Sequence, residues 1–457
     1  MRHTFALLAI LLLHQSVSAQ EVKVIPCGHD HIMEHLENQY PGFKKKYDET
    51  YMQVVSPQKQ LQSRKLKIKD TTYYYDTIYT IPVVFHILYN TTNENVNDSL
   101  VYNQLEVLNQ DYNRENPDTI NTRNIFKKVA GSVRYKFELA KLNPSGQATT
   151  GIIRKSTTKT YFSTSGNSAD NVKFTSQGGD DAWDPAKYLN IWVCDLQVPS
   201  SGSIVLGYAY PPYGHPNWPN NYWLSDPRQG VVLHYATFGR NNPRAVGSLS
   251  ASNKGRVATH EIGHYFGLRH ISGDPMFASM GCSVDDYIDD TPNQASQSSF
   301  DCNFFRNSCT DAKNDLPDMV ENYMDYSSER CQNMFTKKQV GIMRTGIREF
   351  RTTLASKIEI VQRMRIFDTV VYNDLKIYAS KNNKVVVEVR NEDLLNTLKM
   401  DVYDASARLL YKDLAISKNE SYISTINFAP GVYFFQLRKN EENGKVIRTE
   451  KLMITKN

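Results

Sequence analysis

The residues best placed to do chemistry lie between Thr259 and His270, where the chain reads Thr-His-Glu-Ile-Gly-His-Tyr-Phe-Gly-Leu-Arg-His. The pattern is HExxHxxGxxH. Residues four apart on a helix differ by about 40° around its axis, so His260 and His264 share one face and can bind one metal ion. Glu261 lies beside them and can act as general base toward a metal-bound water without being a ligand. Gly267 can adopt a left-handed conformation that ends the helix, after which His270 supplies a third nitrogen. Three neutral imidazoles and one open position suit catalytic Zn²⁺. Chance produces HExxH on the order of once per hundred such chains, but the full pattern on the order of once in 10⁵. An ordinary amphipathic helix with surface histidines is therefore a poor account of it.

Elements must hold this segment in place, and the chain is long enough to supply them. At 457 residues it exceeds one ordinary core, since about 150 residues per domain suggests roughly three units. A content of 40% hydrophobic and 22% charged residues excludes collagen-like, disordered and multi-span membrane classes. The balance of 53 Lys+Arg against 48 Asp+Glu, without a basic block, gives no reason to expect nucleic acid as a partner. Residues 79–89 and 188–194 read as buried strands, 135–140 as an alternating strand, and 100–113 as a helix. Residues 199–219, rich in Pro and Gly, read as a long loop leading to a strand at 231–235. Residues 336–356 have helical spacing, and from about Ile366 short strands with turns suggest a small β-sandwich.

The first residues, Arg2-His3 and then Phe5-Ala6-Leu7-Leu8-Ala9-Ile10-Leu11-Leu12-Leu13, with Val17-Ser18-Ala19 behind them, read as a secretory signal peptide cut after Ala19. The apolar run is too short to span a bilayer, and no other stretch is long enough. An exported protein can form disulfides, and Cys282, Cys302, Cys309 and Cys331 cluster as two local bridges with three pairings open. Cys27 and Cys194 are then singletons. Residues 271–322, dense in Asp, Ser and Asn, need such staples or bound ions to stay ordered.

HExxHxxGxxH marks the metzincin metallopeptidases, and Glu321-Asn322-Tyr323-Met324-Asp325-Tyr326 resembles their methionine-containing turn. With Ile81-Pro82-Val83-Val84-Phe85-His86, Ala182-Trp183-Asp184-Pro185 and Gly230-Val231-Val232, the chain from about Ile78 to Phe350 resembles the pappalysin family. The resemblance implies an α+β metzincin-like catalytic domain, with a mixed twisted sheet and an active-site helix. It implies Met324 as a structural residue and Tyr326 as an oxyanion stabiliser. It pairs Cys282 with Cys309 and Cys302 with Cys331, and makes Asp286, Asp290 and Thr291 a calcium loop. Cys27 resembles the cysteine of latent precursors, whose thiolate occupies the fourth zinc position. Arg330 stands where Arg-cleaving relatives carry an acid, so cleavage before Arg is not inherited if it lines that pocket. Neighbouring Glu329 leaves that question open.

In the tail, Val402-Tyr403-Asp404-Ala405, Ala429-Pro430-Gly431-Val432-Tyr433-Phe434 and Lys451-Leu452-Met453-Ile454 resemble the sorting domain of type IX secretion in Bacteroidetes. The expected organisation is a signal peptide over 1–19, a pro-segment over 20–70, a catalytic domain over 71–356 and a sorting β-sandwich over 366–457. The expected protein is a secreted or surface-attached zinc endopeptidase, made as a latent precursor and acting on proteins or peptides. Its expected cofactors are Zn²⁺ and structural Ca²⁺. Its other partner would be the secretion machinery. The competing class is a catalytically silent, zinc-stabilised surface binding or adhesion protein, against which Glu261 speaks because a degenerate site often loses its base. An exopeptidase with a distant glutamate as third ligand is disfavoured by His270.

Overall fold

The computed structural model describes residues 23–55, 78–212, 226–274, 281–311, 315–358, 375–380, 383–389, 395–406, 408–440 and 446–455. The signal peptide therefore lies outside the described residues. Two compact units divide the chain, one drawn from Met1–Gln62 and Ile81–Ala355, the other from Ser63–Thr80 and Ser356–Asn457. The described part of the expected pro-segment thus belongs to the unit that carries the metal motif.

That unit opens with strand β1 (Val24–Ile25) and helices α1 (His29–Gln39) and α2 (Phe43–Val55). Strand β2 (Ile78–Tyr89) follows, and its β-branched and aromatic run is buried almost throughout. Helix α3 (Asp98–Asn113) is capped by Asn97, whose side chain accepts the Leu100 N–H at 3.0 Å. Strands β3 (Tyr135–Leu139), β4 (Ile152–Ser156) and β5 (Leu189–Cys194) come next. The segment read as one long loop contains structure: β6 (Leu196–Val198) is followed by β7 (Ser203–Val205) and β8 (Gly207–Ala209) before β9 (Val231–His234). Three-residue strands between Gly202 and Pro211 are too short to show a period, which is why the composition hid them. The main sheet runs β8-β9-β5-β2, with β3 and β4 also pairing with β2. Its inner pairs β9–β5, β5–β2 and β2–β4 are parallel, while β8 is an antiparallel edge.

Helices α4 (Arg256–Tyr265) and α5 (Lys337–Thr345) complete this unit. The expected helix over 336–356 stops early, and Gly346–Phe350 forms a single π-helical turn. A Cβ at Gly346 would sit 2.4 Å from the Phe266 carbonyl oxygen, so the backbone approaches too closely there for an ordinary side chain. Disulfides Cys282–Cys309 and Cys302–Cys331 staple the polar segment after α4, in the pairing that the family resemblance implies. Cys27 and Cys194 are free and buried.

The second unit holds two antiparallel sheets. One runs β10 (Leu375–Ser380), β11 (Lys384–Val389), β14 (Glu420–Ser424); the other has the order β13 (Leu409–Ile416), β12 (Leu398–Asp404), β15 (Gly431–Lys439), β16 (Val446–Ile454). Val385, Val387, Met400, Val402, Phe435 and Leu437 from both sheets share one core, as a small β-sandwich requires.

Candidate active site

Helix α4 begins after Gly255, whose φ of 75° turns the chain into it. The Glu329 carboxylate accepts the backbone N–H groups of Lys254 and, at 2.8 Å, Val257, so an acid caps the positive end of the helix. Burial nevertheless pushes Glu329 up to about 7. Arg256 pairs with Asp118 at 2.7 Å and with Asp111 at 3.3 Å. Asp111 also accepts from Thr259 Oγ1 at 2.8 Å and Tyr323 Oη at 2.9 Å. One buried carboxylate on α3 thereby fixes both the metal-motif helix and the methionine turn.

The structure brings the three motif histidines together. His264 Nε2 lies 3.1 Å from His260 Nε2 and 3.1 Å from His270 Nε2. Each opposite ring nitrogen has an acceptor: His260 Nδ1 the Tyr323 carbonyl at 2.7 Å, His264 Nδ1 the Leu268 carbonyl at 2.8 Å, and His270 Nδ1 the Asp274 carboxylate at 2.6 Å. Acceptors at all three Nδ1 positions place the protons there and leave three Nε2 lone pairs converging on one point. Burial lowers His260 to about 3 and His264 well below the usual imidazole range, so both are neutral near pH 7. The Asp274 carboxylate outweighs burial at His270 and raises it. Cys27 joins the group, with all four donor atoms within 4.8 Å of one another. A nitrogen and sulfur donor set of this size and closeness fits Zn²⁺.

Glu261 is fully buried, and neither carboxylate oxygen has an N–H or O–H partner among the described residues. Burial pushes it up to about 8, against smaller opposing effects of Cys27 and His270. The β8 edge lies against it, because a Cβ at Gly207 would come 2.9 Å from Glu261 Cγ. Tyr326 Oη sits 2.9 Å from His270 Nε2, at the rim of the histidine cluster. Met324 is buried beneath α4, and its Sδ would be 2.6 Å from a Cβ on Gly263. That contact explains the glycine inside the motif. Gly267, at φ 100°, makes the turn that delivers His270.

Residues from the expected pro-segment, 20–70, fill this site. Strand β1 pairs in parallel with β7, Val24 opposite Ile204, and the Gly28 N–H donates to the Gly207 carbonyl at 2.8 Å. The His29 ring stacks on His264 with centroids 4.3 Å apart, and its Nε2 lies 3.3 Å from Asp274 Oδ2.

Two expected site residues sit elsewhere. Arg330 is exposed, whereas Glu329 lines the small cavity beside His260 and Tyr326, together with Val257 and Gln332. Asp290 accepts from Thr336 Oγ1 at 2.6 Å and from the Lys338 N–H at 2.9 Å, so it serves the start of α5. Only Asp286 and Thr291 meet, at 2.9 Å. Sequence reasoning missed Asp274, Asp111, Gly263 and His29. Of these, Asp274 had a signal in its position four residues beyond His270.

The model of the Peptidase_M43 family, described as pregnancy-associated plasma protein-A, matches residues 173–348. An extracellular metalloprotease of Arthroderma benhamiae is 30% identical over 278 residues, covering 60% of this chain and 73% of the relative. The chain belongs to the pappalysin family. Among solved structures, this pappalysin is similar to mature mirolysin of Tannerella forsythia in complex with a cleaved peptide. The two are 38% identical with a TM-score of 0.51, over 61% of this chain and 98% of that one. A promirolysin mutant from the same organism is 34% identical with a TM-score of 0.55, over 72% of this chain and 96% of that one. The pappalysin described here is a metalloendopeptidase with a mirolysin-like fold. Among the described residues no helix is long and apolar enough to cross a membrane.

Proposed function

We propose that the protein is a secreted zinc endopeptidase held latent by its own pro-segment, with Glu261 as the general base. The observation that carries this is the set of three converging Nε2 atoms beside a buried carboxylate that has no N–H or O–H partner among the described residues. His260, His264 and His270 would hold Zn²⁺, and the Cys27 thiolate would complete the donor set in the precursor. When bound, the ion supplies Lewis acidity toward a carbonyl oxygen and a water molecule. Glu261 takes a proton from the attacking water as the C–O bond forms and delivers it to the amide nitrogen as the C–N bond breaks. Tyr326 Oη donates to the substrate oxygen as charge develops on it. An extended peptide adds along the β8 edge through backbone pairing once the pro-segment has left.

Asp286 and Thr291 remain the proposed calcium neighbours, and equilibrium dialysis of the chain and its Asp286→Asn variant with Ca²⁺ tests this. The C-terminal sandwich is proposed as a sorting module. Export should then fail when residues 366–457 are deleted from the gene in a type IX secreting host.

The test of the main reading is digestion of a peptide library by enzyme released from the full-length precursor, beside Glu261→Ala. Cuts that vanish in the variant support the proposal. One zinc per chain without any cut would establish the silent binding protein instead.

A further inference from the structure

Arg269 stands immediately before His270 and is only 2% exposed. Its guanidinium is surrounded by the pro-segment helix α2. Asp48 Oδ1 lies 2.9 Å from Nη2, and the rings of Tyr51 and Tyr47 lie 3.9 Å and 5.2 Å from its central carbon. On the catalytic side the acid that influences it is Asp274, whose Oδ1 is held by His270 Nδ1 at 2.6 Å with or without the pro-segment. Arg269 thus has two acidic neighbours, and the one that hydrogen-bonds it directly, Asp48, belongs to helix α2. If that segment leaves, as the latent-precursor reading above requires, a guanidinium is uncovered at the end of α4 opposite the cavity lined by Glu329 and Val257. A bare guanidinium with five donors selects a carboxylate over neutral groups.

We infer that in the released enzyme Arg269 forms a subsite for an acidic substrate side chain, a place that Asp48 occupies in the precursor. Helix α4 is about 15 Å long. An extended peptide advances about 3.4 Å per residue, so the favoured Asp or Glu falls within about four residues of the scissile bond. The pro-segment then mimics the substrate's charge at one point while its Cys27 blocks the metal.

The test begins with zinc-loaded enzyme released from the full-length precursor. In library digestion, Asp and Glu should be enriched at one fixed position. Paired substrates differing there by Asp or Asn should differ about fivefold in KM, the size of one partly exposed ion pair, with similar kcat. In Arg269→Gln that ratio should fall to about one, and Arg269→Lys should keep part of it. A second arm titrates synthetic peptide 43–55 into released Glu261→Ala enzyme. The peptide with Asp48→Asn should bind about fivefold more weakly, and the difference should vanish in the Arg269→Gln background. No acidic preference in the wild type, or a preference that survives Arg269→Gln, overturns the inference. If nothing is cleaved at all, catalysis is what fails. The peptide-binding arm then still decides the role of Arg269, and its Asp48→Asn comparison needs no substitution at Arg269.

Discussion

Replacing Asp274 tests the geometry of the metal centre without touching a ligand. Its Oδ1 lies 2.6 Å from His270 Nδ1 and also accepts the His270 N–H at 3.4 Å, both inside a buried site. Asp274→Ala frees the third imidazole to rotate and to change tautomer, and lost partners of this kind weaken metal binding about 10- to 100-fold. That corresponds to about 1.4–2.8 kcal/mol. Asp274→Asn keeps an oxygen for Nδ1–H but loses the charge, so its loss should lie near the tenfold end. The assay is competition for Zn²⁺ against a chelator of known affinity. It is run in the Glu261→Ala background to prevent self-cleavage, and repeated with Cys27→Ala so that the thiol cannot mask the change. Unchanged zinc affinity in Asp274→Ala, with the circular dichroism spectrum intact, would refute the reasoning that outer-ring hydrogen bonds set this site.

Cys27→Ala in the full-length precursor should raise peptidase activity before any pro-segment cleavage, by about tenfold for each 1.4 kcal/mol of anchoring lost; a fluorogenic peptide assay on uncleaved protein measures it. Gly263→Ala places a methyl 2.6 Å from Met324 Sδ and should destabilise the unit by about 1–3 kcal/mol, read by denaturant unfolding. Glu329 is held near 7 when folded and titrates near 4.5 when unfolded, so its favourable contribution is complete below about 4.5 and is lost as pH rises through 7. Unfolding free energy should therefore fall between pH 5 and pH 8, and Glu329→Gln should remove about 2–3 kcal/mol of that slope. A flat profile in the unsubstituted protein would contradict the assigned burial.

The metal centre was readable because its ligands lie within eleven residues and obey one helical spacing followed by one glycine turn. What lay outside that window was not. Asp111 acts on α4 from a helix nearly 150 positions earlier, and no local pattern marks such a carboxylate. Arg330 occupies the position that the family resemblance marks for specificity, yet Glu329 is the one that lines the cavity while Arg330 is exposed, a one-residue difference that composition cannot express. Asp290 belonged to an acidic cluster in sequence, yet its oxygens serve the Thr336 hydroxyl and the Lys338 N–H across more than 40 positions. The long strands were legible from their β-branched runs, whereas β7 and β8 were too short to declare themselves.

Ile32, Met33, Leu36, Phe43 and Tyr47 of the pro-segment share a core with Trp192, Tyr208, Tyr210 and Val232 of the catalytic sheet. Cutting the backbone after Val55 severs none of those contacts. Under the latent-precursor proposal, activation is then governed by mass action: a nicked pro-segment still binds as a separate inhibitor, and it departs only when its local concentration falls below its dissociation constant. On that proposal the cut enzyme stays silent wherever it is concentrated, and dilution starts the clock.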